Sequence, residues 1–388
     1  MTAIVIAIAG LIAAEPASFQ RHDIDSYAGG YQVAIADISG DGRPDVIALS
    51  TAADRVDWFE NPTWKKRPIA RTAKNIDLAC SDIDGDGQLE IALATGFYFN
   101  ESRRGGGILW LKRTANLDDP WQAHPIATDP VVHRLRWGDV DGDGRVELVQ
   151  ASIFGPGSDN VKRPQPAHLW AFRVPDRPEW QPWEKWTINE TLTVLHGIEI
   201  VDFDGDGRNE ILTASFDGIH RLDFPHDGEP GTGWRMTPLA AGAPPKANEP
   251  GAPRGSSEVA AGRAPRLLAA IEPWHGNEVV VYRPNPAGDS WRRQVLDDEL
   301  VEGHALAVAD FDGDGLEEIV AGWRGGEPGL ALYDPADAEG TSYRKVVLDR
   351  GIAVEGIAIA DLNQDARLDL AVIAGRTNNL AWYENVSQ

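Results

Sequence analysis

Three histidines stand at the same position of an internal repeat. His133, His196 and His304 each lie six residues before an acidic stretch, in the segments HRLRWGDVDGDG, HGIEIVDFDGDG and HALAVADFDGDG. Equivalent positions of a repeat occupy equivalent places in the fold, so repeats around an axis would bring three imidazoles together. Converging neutral imidazoles are typical ligands of a transition metal. The spacing therefore predicts an axial site for zinc or another divalent transition metal, and with it an enzyme.

The acidic stretches form a second set of candidate metal ligands. In the pattern DIDGDGQLE, positions one, three, five and nine supply oxygens, and the glycines permit a tight turn. Hard oxygen ligands in a flexible loop suit calcium, and less well magnesium. The predicted ligands of the six loops are Asp37, Asp41 and Asp45; Asp82, Asp84, Asp86 and Glu90; Asp139, Asp141, Asp143 and Glu147; Asp202, Asp204, Asp206 and Glu210; Asp310, Asp312, Asp314 and Glu318; and Asp361, Asn363, Asp365 and Asp369.

These loops could hold each repeat together or could serve calcium-regulated adhesion. A motif that recurs in six places favours the structural role. We expect weaker sites in the first loop, which has Ser39 at position three, and in the last, which has Asn363 and Ala366. The loops resemble the FG-GAP/VCBS repeats of integrin-type propellers.

Each repeat reads as four short strands. One strand enters the acidic loop, a second leaves it, a third often carries Trp or Tyr, and a fourth begins with an aromatic, as in WKKRPIA and WEKWTIN. Four strands in about 50 residues are typical of a propeller blade. The wide interval between the loops at 202 and 310 has room for one blade without a loop, seen in EVAAG, RLLAAI and NEVVVYR. The sequence therefore predicts seven blades.

The two ends of the sequence predict how the ring closes. The last repeat stops after its third strand, and residues 19–25 (FQRHDID) match the missing fourth strand. We expect an all-β, seven-bladed β-propeller over residues 15–388 whose N-terminal strand completes the last blade, since closure removes exposed edges. Residues 240–256, rich in Pro, Gly and Ala, are then a loop between blades four and five. The insertions at 96–107 and 154–167 are also predicted as loops.

The net charge indicates which binding partners are excluded, and the N-terminal segment indicates the expected cellular compartment. The net charge of −24 argues against nucleic acid and anionic membranes as partners. The first 14 residues, MTAIVIAIAGLIAA, are an apolar run ending in small residues, too short for a membrane span and similar to a signal peptide. Calcium loops also suit a compartment outside the cytosol, so we expect export. The oligomeric state is not readable.

Alignment of the repeats places further polar residues at the same end of the ring as the histidines. The position six residues before the loop holds Tyr31 in blade one and Glu355 in blade seven. The loop IEPWHGN of blade five delivers His275 to the same face. We predict His275 as a base or proton shuttle, unless it is a fourth metal ligand, with Glu355 and Tyr31 as weaker candidates for its partner.

Four stretches resemble, in order and spacing, the propeller domain of the aldos-2-ulose (1,5-anhydro-D-fructose) dehydratases. They are VVHRLRWGD, VLHGIEIV, GSSEVAAG with IEPWHGNEVVVY, and EGHALAVADFDGDG. That family carries a metal in its propeller and eliminates water from keto-sugars. The resemblance implies that His133, His196 and His304 bind the metal, with His275 in the site. The family also has cupin and lectin-like domains for a later isomerisation, so only the elimination is expected here.

Elimination requires a polarised ketone, a base for the neighbouring C–H and an acid for the leaving oxygen. We therefore expect a metal-dependent carbon–oxygen lyase that removes water from a small carbohydrate, a keto-sugar such as 1,5-anhydro-fructose or an aldos-2-ulose. One alternative is a sugar lyase that cleaves a glycosidic bond by β-elimination. The other is a non-catalytic, calcium-stabilised propeller that binds carbohydrate or protein. The sequence does not separate the hydroxyl from the glycosidic leaving group.

Overall fold

The computed structural model describes residues 15–225, 232–262, 267–285, 290–337 and 339–387. Over these residues the chain forms 30 β-strands, arranged as seven four-stranded antiparallel sheets and one two-stranded hairpin. The search of the described residues for a helix able to cross a membrane found none. The expected signal peptide, residues 1–14, lies outside the described residues.

The seven sheets are the predicted blades, and their strands follow one another in chain order except at the closure. Blade one contains β2 (Gly30–Ala36), β3 (Asp45–Ser50), β4 (Arg55–Glu60) and β5 (Lys65–Ala70); blade two β6 (Asp77–Ser81), β7 (Glu90–Thr95), β8 (Gly107–Lys112) and β9 (Gln122–Thr128); blade three β10 (Val132–Gly138), β11 (Glu147–Ser152), β14 (Leu169–Arg173) and β15 (Glu184–Asn189); blade four β16 (Gly197–Val201), β17 (Glu210–Ser215), β18 (Gly218–Asp223) and β19 (Arg235–Ala240); blade five β20 (Glu258–Ala261), β21 (Leu268–Glu272), β22 (Glu278–Pro284) and β23 (Trp291–Asp297); blade six β24 (Gly303–Ala309), β25 (Glu318–Trp323), β26 (Gly329–Pro335) and β27 (Tyr343–Arg350); and blade seven β28 (Val354–Ala360), β29 (Asp369–Ala374), β30 (Asn379–Asn385) and β1 (Phe19–Asp25).

The ring closes through the two ends of the described chain. Strand β1 pairs antiparallel with β30, with Phe19 opposite Asn385 and His22 opposite Trp382. The His22 ring also stacks on Trp382, with ring centroids 4.6 Å apart. The predicted seven-bladed, N-terminally closed propeller is therefore confirmed.

The core lies between the blades. The second strands read as continuous apolar runs, and β3, β17 and β29 are buried along their whole length because neighbouring blades cover both faces. Fourth strands such as β9 carry exposed residues, since they form the outer rim. Each blade thus buries its apolar surface against the next, which makes the ring, rather than the single blade, the unit of stability.

One of the predicted loops contains regular structure. Residues 240–256 connect β19 to β20 as expected, and their ends are pinned by two backbone hydrogen bonds between Ala243 and Gly255. The prediction for 154–167 was wrong in part, because it holds a hairpin of β12 (Gly155–Asp159) and β13 (Arg163–Gln165). Asn160 turns this hairpin with φ of 40°, a left-handed conformation that asparagine tolerates. Strands this short do not show an alternating pattern of apolar and polar residues, so the sequence did not indicate them.

Removal of residues 15–26 should expose the edge of β30 and destabilise the whole ring. We expect the melting temperature to fall by about 10 °C or more, with aggregation, because seven residues of pairing are lost and an open edge is created. Differential scanning calorimetry would measure this, with Gln20→Ala as the control because Gln20 is exposed on β1. An unchanged melting temperature for the truncated chain would contradict the closure.

Candidate functional site

Four histidine rings meet where the first strands of the blades approach the axis. The ring centroids of His196 lie 4.5 Å from those of His133, 4.7 Å from His275 and 5.3 Å from His304. His275 and His304 are 5.2 Å apart. The structure thus brings together residues that are as far apart as 171 positions in the chain, at the end predicted from the repeat phasing.

The chain presents three of these histidines through a strained turn. Two residues before each of them, the backbone adopts a left-handed conformation, with φ of 58° at Val131, 48° at Val194 and 54° at Glu302. A β-branched residue rarely tolerates this conformation, which costs of the order of 1–3 kcal/mol. The two valines are fully buried in a cluster with Phe154, and this burial offsets the strain. The same left-handed turn occurs at Lys74, two residues before Ile76 in blade two, so it belongs to the repeat and not to the histidines alone.

Hydrogen bonds between blades set the orientation of the three axial rings. The Nδ1 atom of His133 lies 3.3 Å from the backbone oxygen of His196, and that of His196 lies 3.1 Å from the oxygen of Ser257. The Nδ1 atom of His304 lies 2.7 Å from the oxygen of Glu355. A carbonyl oxygen only accepts, so each Nδ1 carries the proton and each Nε2 offers a lone pair to the axis. This is the tautomer of a metal-ligating histidine held by an outer hydrogen bond.

Burial keeps these rings neutral. His133, His196 and His304 are only 1%, 1% and 2% exposed. Burial, followed by the charges of Arg134 and Arg324, holds the pKa values of His133 and His304 well below 6.5, and burial also lowers the pKa of His196. Neutral imidazoles with inward lone pairs fit a transition metal, because binding requires no proton to be removed.

His275 belongs to the cluster but differs from the other three. One set of ligand atoms that lie within 4.8 Å of one another is formed by His196, His275 and His304, so the fourth-ligand role stays open. The Nε2 atom of His275 lies 2.9 Å from that of His196, and its Nδ1 atom lies 3.3 Å from Arg324. Arginine only donates, so Nδ1 accepts and the proton sits on Nε2, the reverse of the axial rings. The ring stacks on Trp274 at 4.1 Å, and the backbone φ is 47°.

Tyr31 lies between two of the axial rings. Its hydroxyl is 3.1 Å from Nε2 of His133 and 3.2 Å from Nε2 of His304. The one hydroxyl proton can satisfy only one of these two acceptors, and Arg134 also lies 3.3 Å from Nε2 of His133, so His133 can accept from Arg134 while Tyr31 donates to His304. Burial raises the pKa of Tyr31, against the opposing charges of Arg134 and Arg324. The hydroxyl therefore keeps its proton at neutral pH.

Two ion pairs flank the histidines, and the sequence reading missed three of their four members. Arg324 donates to Glu355 at 2.6 Å, and Arg134 donates to Glu258 at 3.0 Å. Glu258 also lies 2.8 Å from Nδ1 of His196. Arg134 directly follows His133 in the sequence and is buried in the structure. A charged residue next to an axial histidine could have indicated this ion pair from the sequence. Burial raises the pKa of Glu355 while Arg324 lowers it, so this carboxylate is engaged rather than free.

The acidic loops lie at the opposite end of the blades, between the first and second strands. In four of them, the glutamate at position nine accepts the backbone N–H at position two through Oε2, in Glu90, Glu147, Glu210 and Glu318. The Oε1 atoms of Glu90, Glu147 and Glu318 are buried without a hydrogen-bond partner among the described residues. An unpaired buried carboxylate oxygen is costly, and a cation would satisfy it. The donor set of these loops therefore fits calcium.

The charge state of these glutamates leads to the same interpretation. Burial, reinforced by neighbouring aspartates, raises the pKa of Glu90 to about 7, of Glu147 to about 8 and of Glu318 to about 9.

In blade four, Asp204 and Glu210 come together with Asp223 on β18. The sequence reading missed Asp223 because it lies 13 residues beyond the loop, on the third strand.

The first and last loops differ at position nine. Asp45 replaces the glutamate in blade one, and its second oxygen accepts the backbone N–H of Asn61 at 2.8 Å. In the same way, Asp369 accepts a hydrogen bond from the backbone N–H of Asn385. These two carboxylates need no cation to complete their hydrogen bonding, unlike the glutamates.

Comparison with known proteins agrees with this architecture. Residues 105–285 match the family model described as the aldos-2-ulose dehydratase β-propeller domain. This match covers a little under half of the chain and shows a similarity to that propeller family. Residues 37–93 and 310–372 match the FG-GAP-like repeat, so both resemblances read from the sequence are confirmed. An aldos-2-ulose dehydratase from Phanerodontia chrysosporium is 26% identical over 348 residues, which are 81% of this chain and 37% of that protein. The chain therefore spans little more than a third of this relative.

Two solved structures share the fold at low sequence identity. A virginiamycin B lyase from Staphylococcus aureus matches 96% of this chain and 100% of its own, with a TM-score of 0.56 and 12% identity. A lectin from Agrocybe aegerita that recognises non-reducing terminal N-acetylglucosamine matches 86% of this chain and 80% of its own, with a TM-score of 0.52 and 14% identity. These likenesses support the fold alone.

The raised pKa values predict how stability without calcium depends on pH. The folded loops hold protons that the unfolded chain, with glutamate pKa values near 4.5, has already released. When a chelator removes calcium, the free energy of unfolding should therefore decrease as the pH rises from about 5 to 9. Added calcium should make this decrease smaller. Melting temperatures measured between pH 6.5 and 9 would test this. Glu318→Gln should reduce the slope, whereas Glu299→Gln, at a highly exposed position, should not. A calcium-free melting temperature that is constant or rises over this range would contradict the interpretation.

Proposed function

We propose that this propeller is a metal-dependent carbon–oxygen lyase that carries out β-elimination on a keto-sugar, releasing water as a dehydratase does. The observation that supports it is the axial cluster of four neutral histidines, in which ligand nitrogens of His196, His275 and His304 lie within 4.8 Å of one another and the His133 ring lies 4.5 Å from that of His196. The similarity to an aldos-2-ulose dehydratase adds the reaction class and a small carbohydrate as the substrate class.

The residues that would hold the metal are His133, His196 and His304, with His275 within reach as a fourth ligand. The proposed ion is zinc or another divalent transition metal, since imidazole nitrogen suits these ions. When bound, it would polarise the substrate ketone and so acidify the neighbouring C–H. The burial of these rings excludes bulk water and strengthens each electrostatic interaction within the site.

The remaining residues divide the proton transfers between them. Burial and nearby charges hold the pKa of His275 well below 6.5, so this imidazole is neutral, as a base must be. Its stacking on Trp274 and its contact with Arg324 keep the ring in place. Tyr31 retains its proton and is the candidate donor to the leaving oxygen. Glu355 is held by Arg324 and is the weaker candidate.

Calcium, or magnesium, in the blade loops has a structural role in this proposal. The loops lie at the far end of the blades from the histidines, and their unpaired glutamate oxygens belong to the scaffold.

Asp204→Ala should therefore lower the melting temperature and leave turnover per folded molecule near normal. Export of the protein is proposed from the apolar run at residues 1–14 together with the calcium-type loops.

A non-catalytic, calcium-stabilised propeller that binds carbohydrate or protein is the second candidate, since the acidic loops that fit calcium do not require a transition metal at the axis. The two candidates differ in metal content. After dialysis into buffer containing calcium but no transition metal ion, the lyase should keep one equivalent of transition metal, whereas the binding propeller should carry calcium only.

Replacement of any axial histidine should remove metal and elimination activity together. In His133→Ala, His196→Ala and His304→Ala, one nitrogen ligand is lost, while the ring closure and the blade cores are unchanged. Elemental analysis, circular dichroism and enone absorbance with a keto-sugar would measure metal, fold and activity. The matched control is His220→Ala, which removes a buried histidine from β18 away from the axis. Wild-type metal content in all three axial variants would defeat the assignment.

His275→Ala should behave differently from the axial variants. If His275 transfers the proton, the metal stays bound and the rate falls by about 10²–10⁴-fold. If His275 is instead a ligand, metal content falls in parallel with the rate. Metal content and turnover measured on one preparation distinguish the two roles.

A further inference from the structure

A cavity of about 370 Å³ opens beside the histidine cluster. One wall is formed by the loop between blades four and five, from Lys246 to Pro253. The facing wall is formed by the His275 loop and the turn at residues 300–302. A hydrogen bond of 2.9 Å from Lys246 to Asn277 joins the two walls at the rim.

The cavity and the candidate site share one residue. His275 contacts His196 on its inner side and also lines the cavity. Among the four clustered histidines, His275 is the one that is partly exposed, whereas the axial three are almost completely buried. A substituent that projects from the buried centre past His275 would therefore enter this cavity.

The lining has the chemistry of a sugar subsite. Trp274, Leu300 and Pro253 supply apolar surface, and Trp274 is an aromatic of the kind that packs against sugar C–H groups. Lys246 and Glu302 place charged groups at the rim, where hydroxyls can hydrogen-bond. The volume falls in the range of small-ligand sites, of the order of 300–1,000 Å³, whereas a departing water takes only about 30 Å³.

We infer that the site takes a keto-sugar whose leaving oxygen carries a further sugar residue, and that this residue occupies the cavity beside His275. This inference rests on the proposed elimination and extends it from a hydroxyl to a glycosidic leaving oxygen, which the cavity would favour. The C–H electron pair next to the ketone forms the new C=C bond, and its proton goes to the base. The C–O pair leaves with the glycosidic oxygen, which takes a proton, so an enone and a free sugar result without any oxidant or reductant.

Two substrates with the same reacting ring test the inference. In 1,5-anhydro-fructose the leaving group is the C4 hydroxyl, and in its 4-O-glucosyl derivative the leaving group is glucose, while the ketone and the C3–H are unchanged. With metal-loaded full-length protein, we expect kcat/KM for the glucosyl derivative to be higher by about tenfold or more, since binding in the cavity stabilises the transition state. Enone absorbance and released glucose report the two products. Equal kcat/KM values would overturn the inference.

A pair of valine variants tests the location. Val301 lines the cavity and is 48% exposed, so Val301→Trp fills the space at little cost to folding. It should lower kcat/KM for the glucosyl derivative by about tenfold and change that for 1,5-anhydro-fructose by less than about twofold. Val295→Trp, at the similarly exposed Val295 of β23, should change neither. An equal loss on both substrates in Val301→Trp would place the glucosyl group elsewhere.

Calorimetric binding separates this inference from the proposed function. If neither substrate yields an enone with metal bound, the elimination is wrong, and titration of the glucosyl derivative then decides the cavity. Binding by the wild type that is lost in Val301→Trp would support the sugar subsite without the chemistry. Binding that is absent, or unchanged in Val301→Trp, would overturn it.

Discussion

The hydrogen bonds from axial Nδ1 atoms to carbonyl oxygens of the following blade are the constraint on which the site depends. They link blade three to four, four to five, and six to seven, so the packing of the ring itself determines the tautomer of each histidine. A histidine on an isolated blade would have neither this partner nor this orientation. Assembly of the ring and orientation of these histidines are therefore one event.

The strain in the turns before these residues follows from the same requirement. The left-handed backbone at Val131 and Val194 turns the chain sharply into the first strand and places the next-but-one side chain at the axis. Burial of the two valines in a shared apolar cluster makes this conformation tolerable. Scaffold packing thus supports a local geometry that the same residues would avoid in a free loop.

The two ends of the blades carry opposite chemistry. One end concentrates carboxylates, three of which have a buried oxygen without a hydrogen-bond partner among the described residues, and the other concentrates neutral imidazoles. Blade five connects the two patterns, because it lacks both an acidic loop and an axial histidine and contributes His275 from a different loop. Ser256, at its axial position, instead donates to the buried Glu272 that precedes this loop. The departure of one blade from the repeat therefore creates the asymmetry that a reaction site needs.

The sequence alone determined the seven blades, the closure by residues 19–25, the six acidic loops and the shared end of the histidines. Each of these depends on periodicity, and a repeat carries its periodicity in its residues. Tertiary structure alone decided that Tyr31 lies between His133 and His304, that Arg134 pairs with Glu258 across 124 residues, and that Arg324 sets the tautomer of His275. It also decided that Asp45 and Glu318, at one repeat position, differ in hydrogen bonding. The reason is that these features depend on side-chain directions and on contacts between blades, and neither is periodic along the chain.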